Sequence, residues 1–372
     1  MRAGVIRAYI LKEFKDLART KMLYLVYILP TMILLLFGYG IRMEVTHART
    51  IILDRDNSKL SLDLIGALEH TKYFDTHVST MSEQEALRLI KKGEADILII
   101  IPTSLQKHIL KHQKAQIGVY IDGAYPMRAL TMQSYVEGEI VHLAQKLLAD
   151  RGLQGSLITI NHRTLFNQAM RDENAIVPGL IGLILLVAPA ILAALLIVKE
   201  KELGTIFNFY ASPIGKTEFL IAKLTPVFLL HSLNIFILFL WAVTLFGVPF
   251  RGSFTLYWMA SELYLFSSLG IGLLVSIITR RQIVAVVLTV IITLIPGFLY
   301  SGILMPISSM QGASAIEAHL FPVMYYNHIV YDTFLVGEGL ASAKTALYLG
   351  ILALYGTTLL LLGSLLLQKE LR

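Results

Sequence analysis

The sequence contains no cysteine among its 372 residues. Disulfide bonds and thiolate metal sites are therefore excluded, and any domain outside the cytoplasm must fold on its hydrophobic core alone. There is no phosphate-binding G-x-x-x-x-G-K-[ST] loop, no H-E-x-x-H motif and no G-x-S-x-G motif, and the ten histidines are scattered. Those motifs supply phosphate binding, metal ligation and nucleophilic catalysis. We therefore expect a chain that does not bind ATP in the usual way and is not an enzyme.

Charged residues are also scarce, at 16% of the chain, whereas 55% of the residues are hydrophobic. A helix needs roughly 20 apolar residues to cross a bilayer. Six runs meet this requirement, at residues 22–41, 175–198, 219–246, 256–278, 283–303 and 345–367. The sequence predicts a polytopic α-helical membrane protein with six transmembrane helices, five of them in residues 175–372.

Lysine and arginine gather at alternate ends of these spans. They are frequent before residue 22, in the loop 199–217, at Arg280 and Arg281, and after residue 367, whereas the opposite short loops contain few. Because basic residues favour the cytoplasmic side, we expect both termini to be cytoplasmic. This topology explains the net charge of +6 and argues against nucleic acid as a partner.

The segment before the first span, residues 1–21, has an apolar stripe at helical spacing, formed by Ile6, Ile10, Phe14 and Leu17. Its charged residues fall largely on the other side of the helix. This pattern predicts a cytoplasmic helix lying in the membrane interface. The alternative is a basic flank that only orients the first span.

Residues 43–173, between the first two spans, alternate between strand-like and helical segments. The strand-like segments read TIILD, FDTHVS, ADILIII and QIGVYI, and Ser82 with Glu85 forms a capping box at the start of a helix. The alternation predicts an α/β periplasmic domain between helices 1 and 2. Carboxylates at residues 54–58 and at Asp122 follow two strands, where they either bind a cation or form turns and caps.

A second outer segment, residues 305–343, is too polar to span a membrane and too apolar for a free loop. It predicts interfacial or re-entrant helices that close the outer mouth of a cavity. A lateral packing element with no gating role explains the pattern equally well.

The loop after the second span, residues 199–217, reads KEKELGTIFNFYASPIGKT. Gly204 interrupts the helix, and Ser212 with Pro213 marks a turn or a new helix start. Between them we expect a short helix over residues 204–210 with Phe207, Phe209 and Tyr210 exposed. Such a helix suits docking into a groove of another protein. The alternative is a membrane-interface helix with its aromatic rings at the headgroups.

The stretch KEKELGTIFNFYASPIGKTEFLIAKLTP resembles the cytoplasmic loop of ABC-2 type transporter permeases, with an acidic and basic cluster, Gly-Thr, a short coupling helix and a proline step. The matching positions are Glu200, Lys201, Glu202, Gly204, Thr205, Ser212, Pro213, Lys223 and Pro226. IFNFYA is more aromatic than the usual coupling helix, and Ala222 replaces a common glycine. YILPTMILLLFGYG, ILDRDNSKLS, YIDGAYP, VPGLIGLIL and PGFLYSGILMPISSMQ extend the resemblance over nearly the whole chain, towards bacterial drug-export permeases with a large outer domain.

The resemblance implies the permease half of an exporter in the bacterial inner membrane, moving a drug-like or lipophilic substrate out of the cytoplasm or the membrane. ATP-Mg is then expected on a partner ATPase subunit and no cofactor on this chain. Further expected partners are a second permease copy or a sister permease, a periplasmic adaptor and an outer-membrane channel. The residues implied in ATPase coupling are Glu200, Glu202, Gly204, Thr205, Phe207, Tyr210, Ser212 and Pro213.

Among the polar residues inside the predicted spans are Glu262, His231 and Asn234. Because ionisable groups are costly in a bilayer, they are candidates for the transport pathway. The alternatives are that Glu262 is hydrated or bonds a neighbouring helix and that His231 serves packing. Two other functions remain open at this stage: an ion- or proton-coupled secondary transporter using Glu262, which the lack of an inverted repeat disfavours, and a membrane scaffold built on the outer domain.

Overall fold

The computed structural model describes residues 3–20, 22–41, 45–111, 113, 116–123, 126–150, 171–303 and 310–367. The chain divides into two compact units. One unit is Arg42–Arg163, and the other combines Met1–Ile41 with Thr164–Arg372. The last part of the predicted outer domain, residues 151–170, lies outside the described residues.

The second unit is helical. Its helices are α1 (Ala3–Arg19), α2 (Met22–Gly40), α7 (Asp172–Glu202), α8 (Ile206–Ala211), α9 (Lys216–Thr244), α10 (Phe254–Ile278), α11 (Gln282–Leu299), α12 (Ala313–Leu320), α13 (Pro322–Tyr331) and α14 (Ala343–Leu366). Within the described chain, α7, α9, α10, α11 and α14 are long and apolar enough to cross a membrane, and α2 contains a shorter apolar stretch, Val26–Gly40. These helices coincide with the six predicted spans and confirm the predicted class of helical membrane protein.

Helix α7 lies at the centre of this unit, where it packs against α2, α9, α10, α11 and α13. Small residues allow the helices to approach closely. A Cβ atom added at Gly272 of α10 would collide with the backbone of Ala190 in α7. Hydroxyl groups add hydrogen bonds across the same contact, because Ser268 Oγ donates to the Leu186 carbonyl at 2.6 Å. Residues from α10 thus fix the position of α7 along its length.

In the described part of the chain between α11 and α14 lie the short helices α12 and α13, a π-helical turn, Asp332–Val336, and a 3-10 turn, Gly339–Ala341. Helix α13 is buried against α7, α10 and α14. The ring of Tyr326 stacks on Tyr264 with centroids 4.2 Å apart, and its hydroxyl lies 2.8 Å from Ser261 Oγ. Of the segment predicted to form interfacial or re-entrant helices, residues 322–334 are thus packed within the helical unit, whereas α12 is largely exposed and residues 305–309 lie outside the described chain. A role in gating stays a prediction.

The other unit is an α/β domain built on a four-stranded sheet. Its strands are β1 (Ala48–Asp54), β2 (Phe74–Val78), β3 (Ile97–Ile101) and β4 (Gly118–Ile121), in the order β2-β1-β3-β4. Strand β1 is parallel to β2 and β3, and β4 is antiparallel to β3. Its helices are α3 (Lys59–Glu69), α4 (Glu83–Lys91), α5 (Leu105–Leu110) and α6 (Pro126–Asp150). The predicted capping box is present, since Glu85 accepts from the Ser82 amide and Ser82 from the Glu85 amide.

Both faces of the sheet are covered, because successive side chains of a strand point to opposite faces. Ile52 packs on one face with residues of α3, α5 and α6, and Ile51 packs on the other with Ala86 of α4. Asp96, just before β3, is buried and accepts two hydrogen bonds from the Arg49 guanidinium, at 3.0 and 3.1 Å. Burial opposes ionisation of Asp96, but Arg49 and Arg128 outweigh it and lower its pKa.

The acidic turn at residues 54–58 is held by its own hydrogen bonds. Asp54 Oδ1 accepts from the amides of Asp56 and Asn57 at 2.9 and 3.1 Å. Asp54 Oδ2 accepts from the Ser61 hydroxyl at 2.7 Å, and Asp56 from the Ser58 hydroxyl at 2.6 Å. These bonds fit the turn-and-cap alternative. Within the described residues, no group of three or more His, Asp or Glu is arranged to hold a metal ion.

Candidate coupling site

The last turn of α7 carries consecutive charges that hold the ends of other helices. Lys201 Nζ donates to the carbonyl oxygens of Ser276 and Ile277 at the end of α10, at 2.5 and 3.1 Å. Glu202 Oε2 accepts from the backbone and side-chain amides of Gln282, the first residue of α11, at 2.9 Å each. Helix C-termini present unpaired carbonyls and N-termini unpaired amides, so a cation and an anion suit them. These two side chains fasten α10 and α11 to α7.

The preceding residue, Glu200, belongs to a buried group of charges that we call the ion cluster: Lys12, Glu13, Glu200 and Lys223. Lys223 Nζ lies 2.6 Å from Glu200 Oε1 and 2.8 Å from Glu13 Oε1, and the side chains of Lys223 and Glu13 are each only 2% exposed. Lys12 is half-exposed, 3.6 and 3.7 Å from the two carboxylates. Desolvation opposes protonation of Lys12, but Glu200 and Glu13 raise its pKa above the usual value. The cluster joins α1, α7 and α9 with balanced charge.

Sequence reasoning missed Glu13 and named Lys223 only through the family resemblance. A signal was present in α1. Glu13 lies three residues after Ile10 and four before Leu17, so it occupies the apolar stripe of this helix. A carboxylate on a buried face requires a partner of opposite charge. Its position therefore indicated a buried ion pair, although not the identity of the partner.

Helix α8 is anchored by its inner face. Ile206 and Phe209 are buried, and the ring of Phe209 stacks on Phe219 of α9 with centroids 4.1 Å apart. The surrounding core includes residues of α7, α9 and α10. The hydroxyl of Thr205, directly before α8, donates to the Glu200 carboxylate. These contacts bind α8 to the ends of α7 and α9.

The outer face of α8 presents one exposed aromatic residue, Phe207, whereas Tyr210, also predicted to be exposed, is half-buried and packs against the core. Phe207 is 52% exposed, and its ring meets that of Tyr210 edge-on with centroids 6.0 Å apart. Gly204 makes the turn from α7 with a φ of +73°, which residues with a Cβ atom rarely adopt. The prediction that Phe209 is exposed is wrong, because Phe209 is 2% exposed. A helix of six residues is too short for its periodicity to identify the inward ring.

The Ser-Pro step directs the chain from α8 into α9. Ser212 Oγ donates to the Phe209 carbonyl at 2.8 Å, and Pro213 is exposed. The Gly215 amide then donates to Glu218 Oε2 at 3.1 Å in the first turn of α9. The predicted coupling residues thus lie around one short helix and its two connections.

The three polar residues of the predicted pathway occupy different surroundings. Glu262 of α10 is partly buried and accepts from the Ser232 hydroxyl of α9 at 2.9 Å. His231 and Asn234 are 1% and 0% exposed, and their side-chain nitrogen and oxygen atoms have no hydrogen-bond partner within the described residues. The hydrogen bond from Ser232 to Glu262 matches the alternative that Glu262 bonds a neighbouring helix. A role of these residues in transport stays a prediction.

An apolar cleft of about 540 Å³ lies between α2, α7 and α11. Phe37, Leu183 and Phe298 contribute to its wall, which exposes no polar surface. Concave apolar surfaces of this size accommodate lipophilic molecules.

These features define a multi-pass helical membrane protein with a short, partly exposed helix at the junction of two spans. The chain belongs to the family described as ABC-2 family transporter protein, which matches residues 21–365. It is a permease subunit of an ABC transporter, a transmembrane subunit without the ATPase domain, and this membership implies an ATPase partner.

Relatives support this membership. The chain is 30% identical over 361 residues to the probable multidrug ABC transporter permease YbhS of Escherichia coli K12, covering 96% of this chain and 94% of YbhS. It is 26% identical over 326 residues to the probable multidrug ABC transporter permease YbhR of the same strain, covering 87% of this chain and 88% of YbhR. It is 26% identical over 266 residues to the inner membrane transport permease YhhJ of that strain, covering 70% of this chain and 69% of YhhJ.

Proposed function

We propose that this permease exports drug-like or lipophilic substrates from the cytoplasm or the inner membrane, driven by a separate ATPase subunit that binds ATP-Mg. The observation that carries the proposal is the two-sided helix α8. Phe209 anchors one face in the helical core, whereas Phe207 is exposed on the other face and Tyr210 is half-buried beside it. The apolar cleft between α2, α7 and α11 supports a lipophilic substrate, and the name of YbhS, a probable multidrug permease, supports a drug-like one.

In this proposal, closure of the ATPase subunits around ATP moves α8. The stack of Phe209 on Phe219 passes the movement to α9, and the bond from Thr205 to Glu200 passes it to α7. The ATPase drives a change of state only if it binds the two states with different affinity. The contacts around α8 offer that difference, because they link the docking face to the spans.

Assembly and topology form part of the same proposal. We expect a second permease chain, either another copy or a sister permease, because two relatives of this chain occur in one E. coli strain. We also expect cytoplasmic termini and a periplasmic α/β domain that contacts an adaptor and, through it, an outer-membrane channel. A cysteine introduced at Ser58 tests the orientation, since no other cysteine is present. Labelling of that cysteine only from the cytoplasmic side would contradict it.

The docking role of α8 is tested with the full-length permease and its co-expressed ATPase subunit. Phe207→Ala with Tyr210→Ala removes the exposed ring of Phe207 and the half-buried ring beside it, and an aromatic anchor is worth on the order of 1–4 kcal/mol in a protein interface. We expect normal membrane insertion but loss of ATPase recovery and of ATP-dependent export. The matched control is Asn208→Ala, an exposed residue of the same helix. Equal ATPase recovery and export from the double variant would mean that the aromatic rings rest on the membrane surface.

A further inference from the structure

A cavity of about 440 Å³ lies between α1, α7, α8 and α9, beside the ion cluster. Its wall includes Arg19, at the end of α1, and Lys199, in the last turn of α7. Lys12 and Lys223 also line it, but both are paired with carboxylates. In the described part of the chain, Arg19 and Lys199 have no ion-pair partner. Of the three carboxylates on this wall, Glu13 and Glu200 are paired with Lys12 and Lys223, and Asp16 forms no ion pair with Arg19 or Lys199.

Both cations lie at the level where a membrane-spanning helix ends. Arg19 precedes the apolar helix α2, and Lys199 directly follows Val198, the last residue of the apolar run in α7. Because α2 and α7 are consecutive spans, the start of the first and the end of the second lie on the same side of the membrane. Phospholipid headgroups occupy this level, just beyond the hydrocarbon core.

The rest of the wall matches the other parts of a lipid. Leu195 and Leu196 of α7 give it an apolar surface on the membrane side of Lys199. Asp16 of α1 also lines the cavity, and its carboxylate is suited to a headgroup ammonium. An anionic group, an ammonium and an alkyl chain therefore each have a counterpart on the wall.

We propose that this cavity binds a phospholipid with an ammonium headgroup, of the phosphatidylethanolamine type. Its phosphate lies between Arg19 and Lys199, its ammonium near Asp16 and its acyl chains along Leu195 and Leu196. Bidentate guanidinium and point-charge ammonium groups both bind phosphate oxygens well. Because Thr205 and Asn208 also line the cavity, the bound lipid joins α1 and α7 beside α8. The proposal does not depend on which substrate is exported.

The test is a titration of the full-length, detergent-purified permease with phosphatidylethanolamine, followed by native mass spectrometry. The variant Arg19→Gln with Lys199→Gln should bind the lipid roughly tenfold to thirtyfold more weakly, given typical contributions of basic residues at lipid headgroups. Arg7→Gln with Lys15→Gln is the matched control, because it removes the same charge from exposed positions of α1 outside the cavity. That control should retain the affinity, and Arg19→Lys with Lys199→Arg should restore it.

Titrations with other ligands distinguish a phospholipid site from a free-phosphate site and from a purely apolar site. Diacylglycerol, which lacks the phosphate, should bind weakly, and inorganic phosphate should not displace the phospholipid. Asp16→Asn should reduce the preference for phosphatidylethanolamine over phosphatidylglycerol. Equal lipid retention by the two double variants, at equal thermal stability, would overturn the proposal. Displacement by inorganic phosphate would identify a free-anion site instead, and equal binding of diacylglycerol would show that the charges do not contribute.

Discussion

Replacing Lys223 by methionine removes the ammonium that neutralises two carboxylates in the ion cluster. Methionine keeps an unbranched side chain of similar size, so the loss is mainly electrostatic. Because Lys223 and Glu13 are 2% exposed, water does not replace the missing charge. Removing one partner of a buried ion pair typically costs about 3–5 kcal/mol. The Lys12 ammonium is half-exposed and at least 3.6 Å from either carboxylate, so it compensates only a small part.

A second variant separates charge from packing. Glu13→Gln, Glu200→Gln and Lys223→Met together remove all three charges of the central pairs. Replacing a buried ion pair or triad as a whole is often close to neutral, since no buried unpaired ion remains; Lys12 keeps its charge but is half-exposed to solvent. We therefore expect the triple variant to recover most of the stability that Lys223→Met loses. Lys15→Met is the control, because Lys15 is exposed on α1 and such changes usually cost within about 0.5 kcal/mol.

The assay is denaturant unfolding of the full-length permease in mild detergent, monitored by the loss of helical circular dichroism. The midpoint and slope give the change in unfolding free energy for each variant. Two results would refute the reasoning. Either Lys223→Met unfolds at the same denaturant concentration as Lys15→Met, or the triple variant is no more stable than Lys223→Met.

Three further predictions concern other positions. The folded-state pKa of Asp96 is lowered. Its carboxylate therefore stabilises the fold above the unfolded pKa of about 3.9, and this stabilisation is lost as pH falls through the folded-state pKa. Asp96→Asn should remove this acid dependence, measured as the hydrogen-exchange rate of the β3 amides. Gly204→Val should cost about 1–2 kcal/mol of local backbone strain and misdirect α8, reducing ATPase recovery more than Gly204→Asn does. Glu262→Gln should reduce transport at equal expression while ATPase recovery persists, and an unchanged pH series would remove Glu262 from the mechanism.

The elements of the fold could be predicted from sequence because their signals are local. Apolar runs marked the spans, and the capping box at Ser82 marked the start of α4. The order of the strands could not be predicted, because it depends on pairing between segments far apart in sequence. The placement of α4 on one face of the sheet and of α3, α5 and α6 on the other could not be predicted either. Alternating apolar residues show that both faces are buried but carry no information on which helix covers each face.

The contacts of the candidate site were even harder to predict from sequence, because they join residues far apart in the chain. Glu13, Glu200 and Lys223 were each visible as charges near apolar segments, but only the tertiary structure brings the three together. The partners of Lys201 could not be predicted from sequence for another reason. They are backbone carbonyls, which every residue possesses and which leave no signal in the sequence. Phe209 was misassigned because a single helical turn contains too few positions to reveal a periodic pattern.

The charged end of α7 has a consequence for biosynthesis. Glu13 and Glu200 are made before Lys223, and Lys201 and Glu202 are made before the ends of α10 and α11 that they bind. A nascent chain that has completed only its first two spans therefore carries charges whose partners have not yet been translated. These charges remain at the membrane surface, hydrated, until α9, α10 and α11 emerge. The contacts of the last turn of α7 are thus completed late in synthesis, and the surface proposed to dock the ATPase takes its final form only after α11 has been inserted.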